Sequence, residues 1–119
     1  MNDLVDLAKK QKTARIRELN DALRRTFVGG RVVLTAGVAA LPEETRADVL
    51  QSVRNFDDSA FDASNDPYGE HDFVAFELGG QTYFAKVDYY NKDLSGGSED
   101  PADPEKTARV LTIMRADEY

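Results

Sequence analysis

The chain has 119 residues, 31% of them charged and 41% hydrophobic, with no cysteine and a net charge of −7. That length suggests one domain, residues 1–119, with a core large enough to hold without disulfides; the missing cysteines exclude thiolate chemistry and fit a reducing cytoplasm. No apolar run is long enough to span a bilayer and no basic-then-apolar signal pattern opens the chain, so a cytoplasmic protein without membrane association is expected.

Charge is unevenly placed. Residues 1–31 hold eight Lys/Arg against four Asp/Glu, net +4, and residues 32–119 hold seven against eighteen, net −11. Such asymmetry gives one basic and one acidic interaction surface, or more simply a basic solvated helix on an acidic body. The overall field disfavours direct nucleic-acid binding.

A basic N-terminal helix comes first, within 1–28. Asn2 or Asp3 caps it, and Val5, Ala8, Ile16, Leu19, Leu23 and Phe27 recur at three- and four-residue steps. Lys12 interrupts that stripe, so the first two turns are expected to project or fray. Gly29-Gly30 ends the helix by offering the left-handed conformation. The segment KKQKTARIR has no aromatic partners and spreads its charge round the helix, which favours a solvated face over a phosphate strip. RVVLT at 31–35 reads as a short strand, with Gly37 as punctuation. A second helix is predicted over 42–56, with Pro42 as its first residue, Glu43 and Glu44 in its first turn, and Val49, Leu50, Val53 and Phe56 on its buried stripe.

Residues 57–72 hold six acidic residues and no Lys or Arg, and read as a long loop. Phe61 and Tyr68 are its expected anchors. FVAFEL at 73–78 and QTYFAKVDYY at 81–90 follow, joined by Gly79-Gly80, which suits a two-residue primed turn. That turn sets Leu78 against Gln81, Phe76 against Tyr83 and Val74 against Ala85. Val74, Phe76, Leu78, Tyr83, Ala85, Val87 and Tyr89 then form a core face. The opposite face carries His71, Phe73, Phe84, Lys86, Asp88 and Tyr90, with His71 opposite Asp88 and Phe73 opposite Lys86. Residues 91–105 form a second acidic loop, and 107–115 a last strand whose buried face periodicity does not decide. The order α-β-α-β-β-β predicts an α+β fold: a small antiparallel sheet of about four strands with two helices packed on one face. The partner of the first strand is not determined.

Three chemistries are weighed. His71 with Asp88 and Lys86 is the catalytic candidate, because a carboxylate beside an imidazole orients it for acid–base work. The competing account is a cross-strand ion pair worth roughly 0.2–1 kcal/mol. No metal is expected, since Glu70 and Asp72 alternate away from His71 in a strand, and no cofactor is expected, since no phosphate loop or nucleophile elbow is present. The third chemistry is interaction. The two loops flank one hairpin and carry eleven carboxylates. The surface so defined comprises Asp57, Asp58, Asp62, Asp66, Tyr68 and Glu70, then Asp93, Glu99, Asp100 and Asp103, beside the His71, Phe73, Phe84, Lys86, Asp88, Tyr90 face. Its expected partner is a protein, basic or itself nucleic-acid-binding.

The phrases LTAGVAALPEE, NDPYGEHDF, KVDYYNKDL and DPADPEKTARVLTIMRADEY, together spanning roughly residues 15–119, resemble the small bacterial domain-of-unknown-function family three-seven-six-eight. Its members are often carried on mobile elements. The resemblance implies no established activity, fold or catalytic residue, and it favours host-interaction roles such as defence evasion by association. The expectation is a non-enzymatic acidic interaction or inhibitor protein of mobile-element type that mimics nucleic-acid charge. The alternative is a small enzyme or ligand-binding domain using His71 and Asp88.

Overall fold

The protein is described by a computed structural model covering residues 3–119. Helix α1 runs Asp3–Thr26, with Asp3 and Asp6 in its first turn and Arg24 and Arg25 in its last, each sign matched to the helix dipole. Asn2 lies outside the described residues, and Asp3 is already helical rather than a cap. The buried positions are Ile16, Asn20, Leu23 and Arg24. Val5 and Ala8, expected on the apolar stripe, are exposed because nothing packs beneath the first turns. The left-handed residue at the helix end is Phe27 (φ 59°), two positions before Gly29 (φ 102°). Its N–H still reaches Leu23 O at 2.8 Å, and its ring packs on the core and under the Arg54 guanidinium, 5.3 Å from centroid to Cζ. Those contacts offset a left-handed cost of about 1–2 kcal/mol.

Strand β1 is Arg31–Leu34, followed by a one-turn helix α2, Ala36–Ala39, where the sequence suggested only a break at Gly37. Helix α3 is Glu43–Arg54, and Pro42 stands just before it as the N-cap residue rather than as the first helical residue. Strands β2 (Phe73–Leu78), β3 (Gln81–Tyr90) and β4 (Ala108–Arg115) complete the fold. Gly79 and Gly80 both have positive φ, 58° and 80°, as a primed turn requires. The resulting register pairs Leu78 with Gln81, Phe76 with Tyr83, Val74 with Ala85 and Phe73 with Lys86.

The fold is α+β with one four-stranded sheet, ordered β1-β4-β3-β2. The sheet is mixed, not antiparallel throughout: β1 pairs parallel with β4, from Arg31 opposite Val110 to Leu34 opposite Ile113. After β1 the chain crosses one face through α2 and α3 to β2 at the far edge, and β3 and β4 then return by two antiparallel steps, so β4 arrives beside β1 running in the same direction. All three helices lie on one face. Leu23, Val38, Val49 and Val53 pack there against Val74, Tyr83, Ala85, Val87, Leu111 and Ile113. Each buried Val, Leu or Ile side chain among them contributes about 1.5–3 kcal/mol by leaving water. Gly30 has no room for a side chain, since a Cβ there would meet Arg109 O at 2.7 Å.

A short 3-10 turn, Ala116–Glu118, ends the chain. The Glu118 carboxylate accepts from Thr35 Oγ1 (2.7 Å), Gly37 N (2.8 Å) and Arg115 N (2.9 Å), which fastens the turn over the start of α2. Thr35 first, then the two backbone donors, hold Glu118 below the usual carboxylate range. Tyr119 stands edge-on to Phe73 and Phe84 on the face the helices leave open. Among the described residues no helix is long and apolar enough to cross a membrane.

Candidate functional site

His71 is not paired with Asp88. The strand stops at Phe73, and although Asp72 O still accepts from Val87 N at 2.8 Å, His71 has φ 54° and leaves the sheet. Asp66 captures the turn by accepting the His71 backbone N–H at 3.1 Å. The imidazole then swings toward α1. Nδ1 donates to Asp21 Oδ1 at 2.9 Å, Nε2 lies 3.7 Å from Asp66 Oδ2, and the ring stacks on Phe61 with centroids 3.8 Å apart. Asp88 instead pairs along its own strand with Lys86 at 2.9 Å, and that hydrogen bond raises the lysine pKa. The catalytic candidates His71, Asp88 and Lys86 are therefore divided between two surfaces.

Arg24 organises the surroundings of His71. Its Nη2 donates to Asp21 Oδ1 (3.0 Å) and Asp58 Oδ1 (3.1 Å), and Nη1 donates to Phe56 O (3.2 Å) and Val53 O (3.4 Å). Asp58 also takes a hydrogen bond from Arg25. Burial works against the Asp58 charge, but the Arg25 and Arg24 contacts outweigh it and hold the carboxyl below its usual range. Ligand atoms of Asp21, Asp58 and His71 lie within 4.8 Å of one another, a spacing a metal ion would fit. The Arg24 guanidinium, bonded to both carboxylates, already supplies the positive charge there.

A second polar group stitches the acidic loops to α1. Asn20, fully buried, donates to Glu70 O (3.0 Å) and Tyr89 Oη (2.7 Å) and accepts from Arg109 Nε (2.9 Å). Arg109 also donates to Pro101 O and lies over the Tyr89 ring at 5.2 Å. Tyr89 donates to Glu70 Oε1 at 2.7 Å; burial and that carboxylate push the phenol pKa up. One α1 residue thus reaches the 57–72 loop directly and the 91–105 loop through Arg109. Arg17 donates to Gly69 O at 2.8 Å, and Lys12 lies 3.7 Å from Asp100. Sequence reasoning missed Asn20, Asp21, Arg24 and Arg109. The available signal was polar residues at positions 20 and 24, set among Ile16, Leu23 and Phe27 on one helical face.

The two loops adjoin the same end of the sheet, and most of their carboxylates have partners within the protein. Asp57, Asp62, Asp93, Asp100 and Asp103 each accept the N–H two residues onward, from Ser59, Ser64, Ser95, Ala102 and Glu105. These are Asx turns. Serine hydroxyl bonds, then backbone ones, hold Asp62 and Asp93 below the usual range. Asp66 is buried, Glu70 is bound to Tyr89, Glu99 lies 3.8 Å from Lys106, and Tyr68 is exposed. Phe73, Phe84, Lys86, Asp88 and Tyr90 share the open sheet face, which His71 has left.

Asp72 is the carboxyl in the least favourable setting. Burial first, then the charges of Glu70, Asp66 and Asp88, raise its pKa. An acid whose folded pKa exceeds its unfolded value costs stability once it is ionised, above the folded pKa. Asp72→Asn is therefore expected to raise the thermal midpoint at pH 7. The gain should shrink as the pH falls through the folded pKa and be lost by about pH 3, below the unfolded value of about 3.9, where the wild-type carboxyl is protonated in both states. Melting curves at the two pH values check this.

A hollow of about 450 Å³ opens between α3 and the end of β2, lined by Asp48, Gln51, Ser52, Asn55 and Leu78. None of the candidate residues borders it. A second of about 300 Å³ lies on the open face beside Lys86, Met114 and Tyr119.

The fold and site define a mixed-sheet α+β protein whose acidic loops are pinned to a helix by buried arginine and asparagine. The chain belongs to the family described as Protein of unknown function (DUF3768), whose family model matches residues 34–118. That span holds the sheet from the end of β1 onward and both acidic loops, while Asn20, Asp21 and Arg24 precede it. No curated protein and no solved structure matches the chain.

Proposed function

We propose that this is a non-enzymatic interaction protein of mobile-element type, which presents its acidic, loop-built end to a basic protein. In its sharpest form it is an inhibitor whose carboxylates occupy a groove made for phosphates. The supporting observation is the set of five Asx turns distributed over both loops. They fix the carboxylates before a partner arrives, which reduces the ordering cost of binding, and opposite charge speeds encounter. A small enzyme or ligand-binding domain using His71 is the weaker reading. Nδ1 is bonded to Asp21, Nε2 lies 3.7 Å from Asp66 and Phe61 covers one face of the ring, so the imidazole is engaged by the protein's own groups.

The test is a pull-down from a cell lysate at low and high salt, followed by affinity measurement on the identified protein. A basic partner should be retained at low salt and released at high salt. Asp57→Asn/Glu99→Gln/Glu105→Gln, all at exposed positions, should weaken its binding about tenfold or more. Binding indifferent to both salt and neutralisation would defeat the proposal.

A further inference from the structure

The first turns of α1 have no body beneath them. Residues 3–12 are all exposed, and burial begins with Thr13 and Ala14. Ten helical residues make a rod of about 15 Å, and the molecule measures 53 × 33 × 23 Å. A helix this short is marginal in water unless something packs on it. The rod nevertheless carries Leu4, Val5 and Leu7, which are 82%, 48% and 51% exposed. Beside them stand Lys9, Lys10 and Lys12, and residues 3–17 hold five Lys/Arg against two Asp.

The rod leaves the body at the acidic end. Lys12 already contacts Asp100 of one loop, and Arg17 holds Gly69 of the other. That end also exposes apolar side chains: Tyr68 is 75% exposed, Leu94 42% and Tyr90 36%. Aliphatic groups ringed by lysine on the rod thus match apolar groups ringed by carboxylates on the loops.

We infer that the projecting tip of α1 docks on the acidic loops of a second copy of this chain, and reciprocally, in a two-fold pair. Because the rod departs from the same end that receives it, one axis at that end serves both contacts, as an isologous interface requires. Charge selects the arrangement. Packing rod on rod would bring like net charges together, +1 for residues 3–12 and +3 for residues 3–17, whereas rod on loop joins opposite signs. The inference rests on the reading of the acidic end as a contact surface and names a basic amphipathic helix as what that surface accepts.

Sedimentation of the purified full chain at about 0.05 M and about 0.5 M salt tests it. The expected mass is two chains at low salt, falling toward one chain of 13.2 kDa at high salt. Leu4→Asp/Leu7→Asp should give single chains at low salt, and at high salt, where the wild type is single too, it should leave the thermal midpoint unchanged, since the tip supports nothing in its own body. Lys9→Glu/Lys10→Glu and Glu99→Lys/Glu105→Lys should each fail to pair alone and should pair when mixed, an outcome that rod-on-rod packing does not produce. A single-chain mass at low salt, a pair indifferent to salt, or one that survives Leu4→Asp/Leu7→Asp overturns the inference. Capture of a basic protein by a chain that stays single would leave the proposed function standing and remove only the self-association. A pair that forms while no basic protein is captured would do the reverse.

Discussion

Arg24→Met is expected to destabilise the protein by about 3–5 kcal/mol, read from the midpoint of urea unfolding. Methionine keeps much of the volume and removes every donor. Four hydrogen bonds disappear, two to the carbonyls of Val53 and Phe56 and two to the carboxylates of Asp21 and Asp58. Asp58 keeps Arg25, but Asp21 is left with His71 alone. Leaving a half-buried carboxylate short of its partner is what makes such a change costly, more than the loss of any one bond. Asp21→Asn in the same chain should recover part of the loss, and the four-variant cycle gives the coupling. Zinc provides an independent reading. With the guanidinium gone, Asp21, Asp58 and His71 are three ligands within reach of one ion, so zinc should raise the variant's melting midpoint and leave that of the wild type nearly unmoved. A loss below about 1 kcal/mol would mean that Arg24 is a passenger and that the His71 region is held from elsewhere.

The hairpin was legible because everything that fixes it is local. Gly79-Gly80 sets the turn, alternation sets the faces, and the register follows by counting. Counting failed two residues beyond the strand. His71 leaves the sheet because Asp66 takes its N–H, a contact made by the loop and invisible to an argument from strand period. The parallel pairing of β1 with β4 was hidden for a similar reason. It joins segments more than seventy residues apart, and four residues of RVVL specify no partner. The acidic loops were legible as charge, but not the turns that hold that charge in place. The spacing that gives them away was present: Asp57 to Ser59, Asp62 to Ser64 and Asp93 to Ser95 are each an aspartate with a serine two residues on. Polar residues at core positions of α1 were equally visible at Asn20 and Arg24. Their partners came from the loops and from β4, which only the folded chain brings near.

Asn20→Leu is expected to cost a similar amount, about 3–5 kcal/mol, although the two side chains share the same branched shape and heavy-atom count. The reason is the company Asn20 keeps. Arg109 Nε, Glu70 O and the Tyr89 hydroxyl all satisfy themselves on it, in a place without water access to replace it. Burial already disfavours the Arg109 charge, so removing the acceptor of its Nε leaves a buried cation further unpaired. Asn20→Leu/Arg109→Leu should therefore be less destabilised than the sum of the two single variants, because the orphaned charge leaves with its partner. The location of the damage distinguishes a hub from a packing residue. Hydrogen exchange should accelerate at residues 69–71 and around residue 103, where the loops are tied, and stay slow through the β3–β4 ladder. Binding to a basic partner should fall as well, with every loop carboxylate intact, because the carboxylates would no longer be held in one arrangement. Unchanged loop exchange in a destabilised variant would show that the loops are organised by their own turns and that Asn20 serves the core alone.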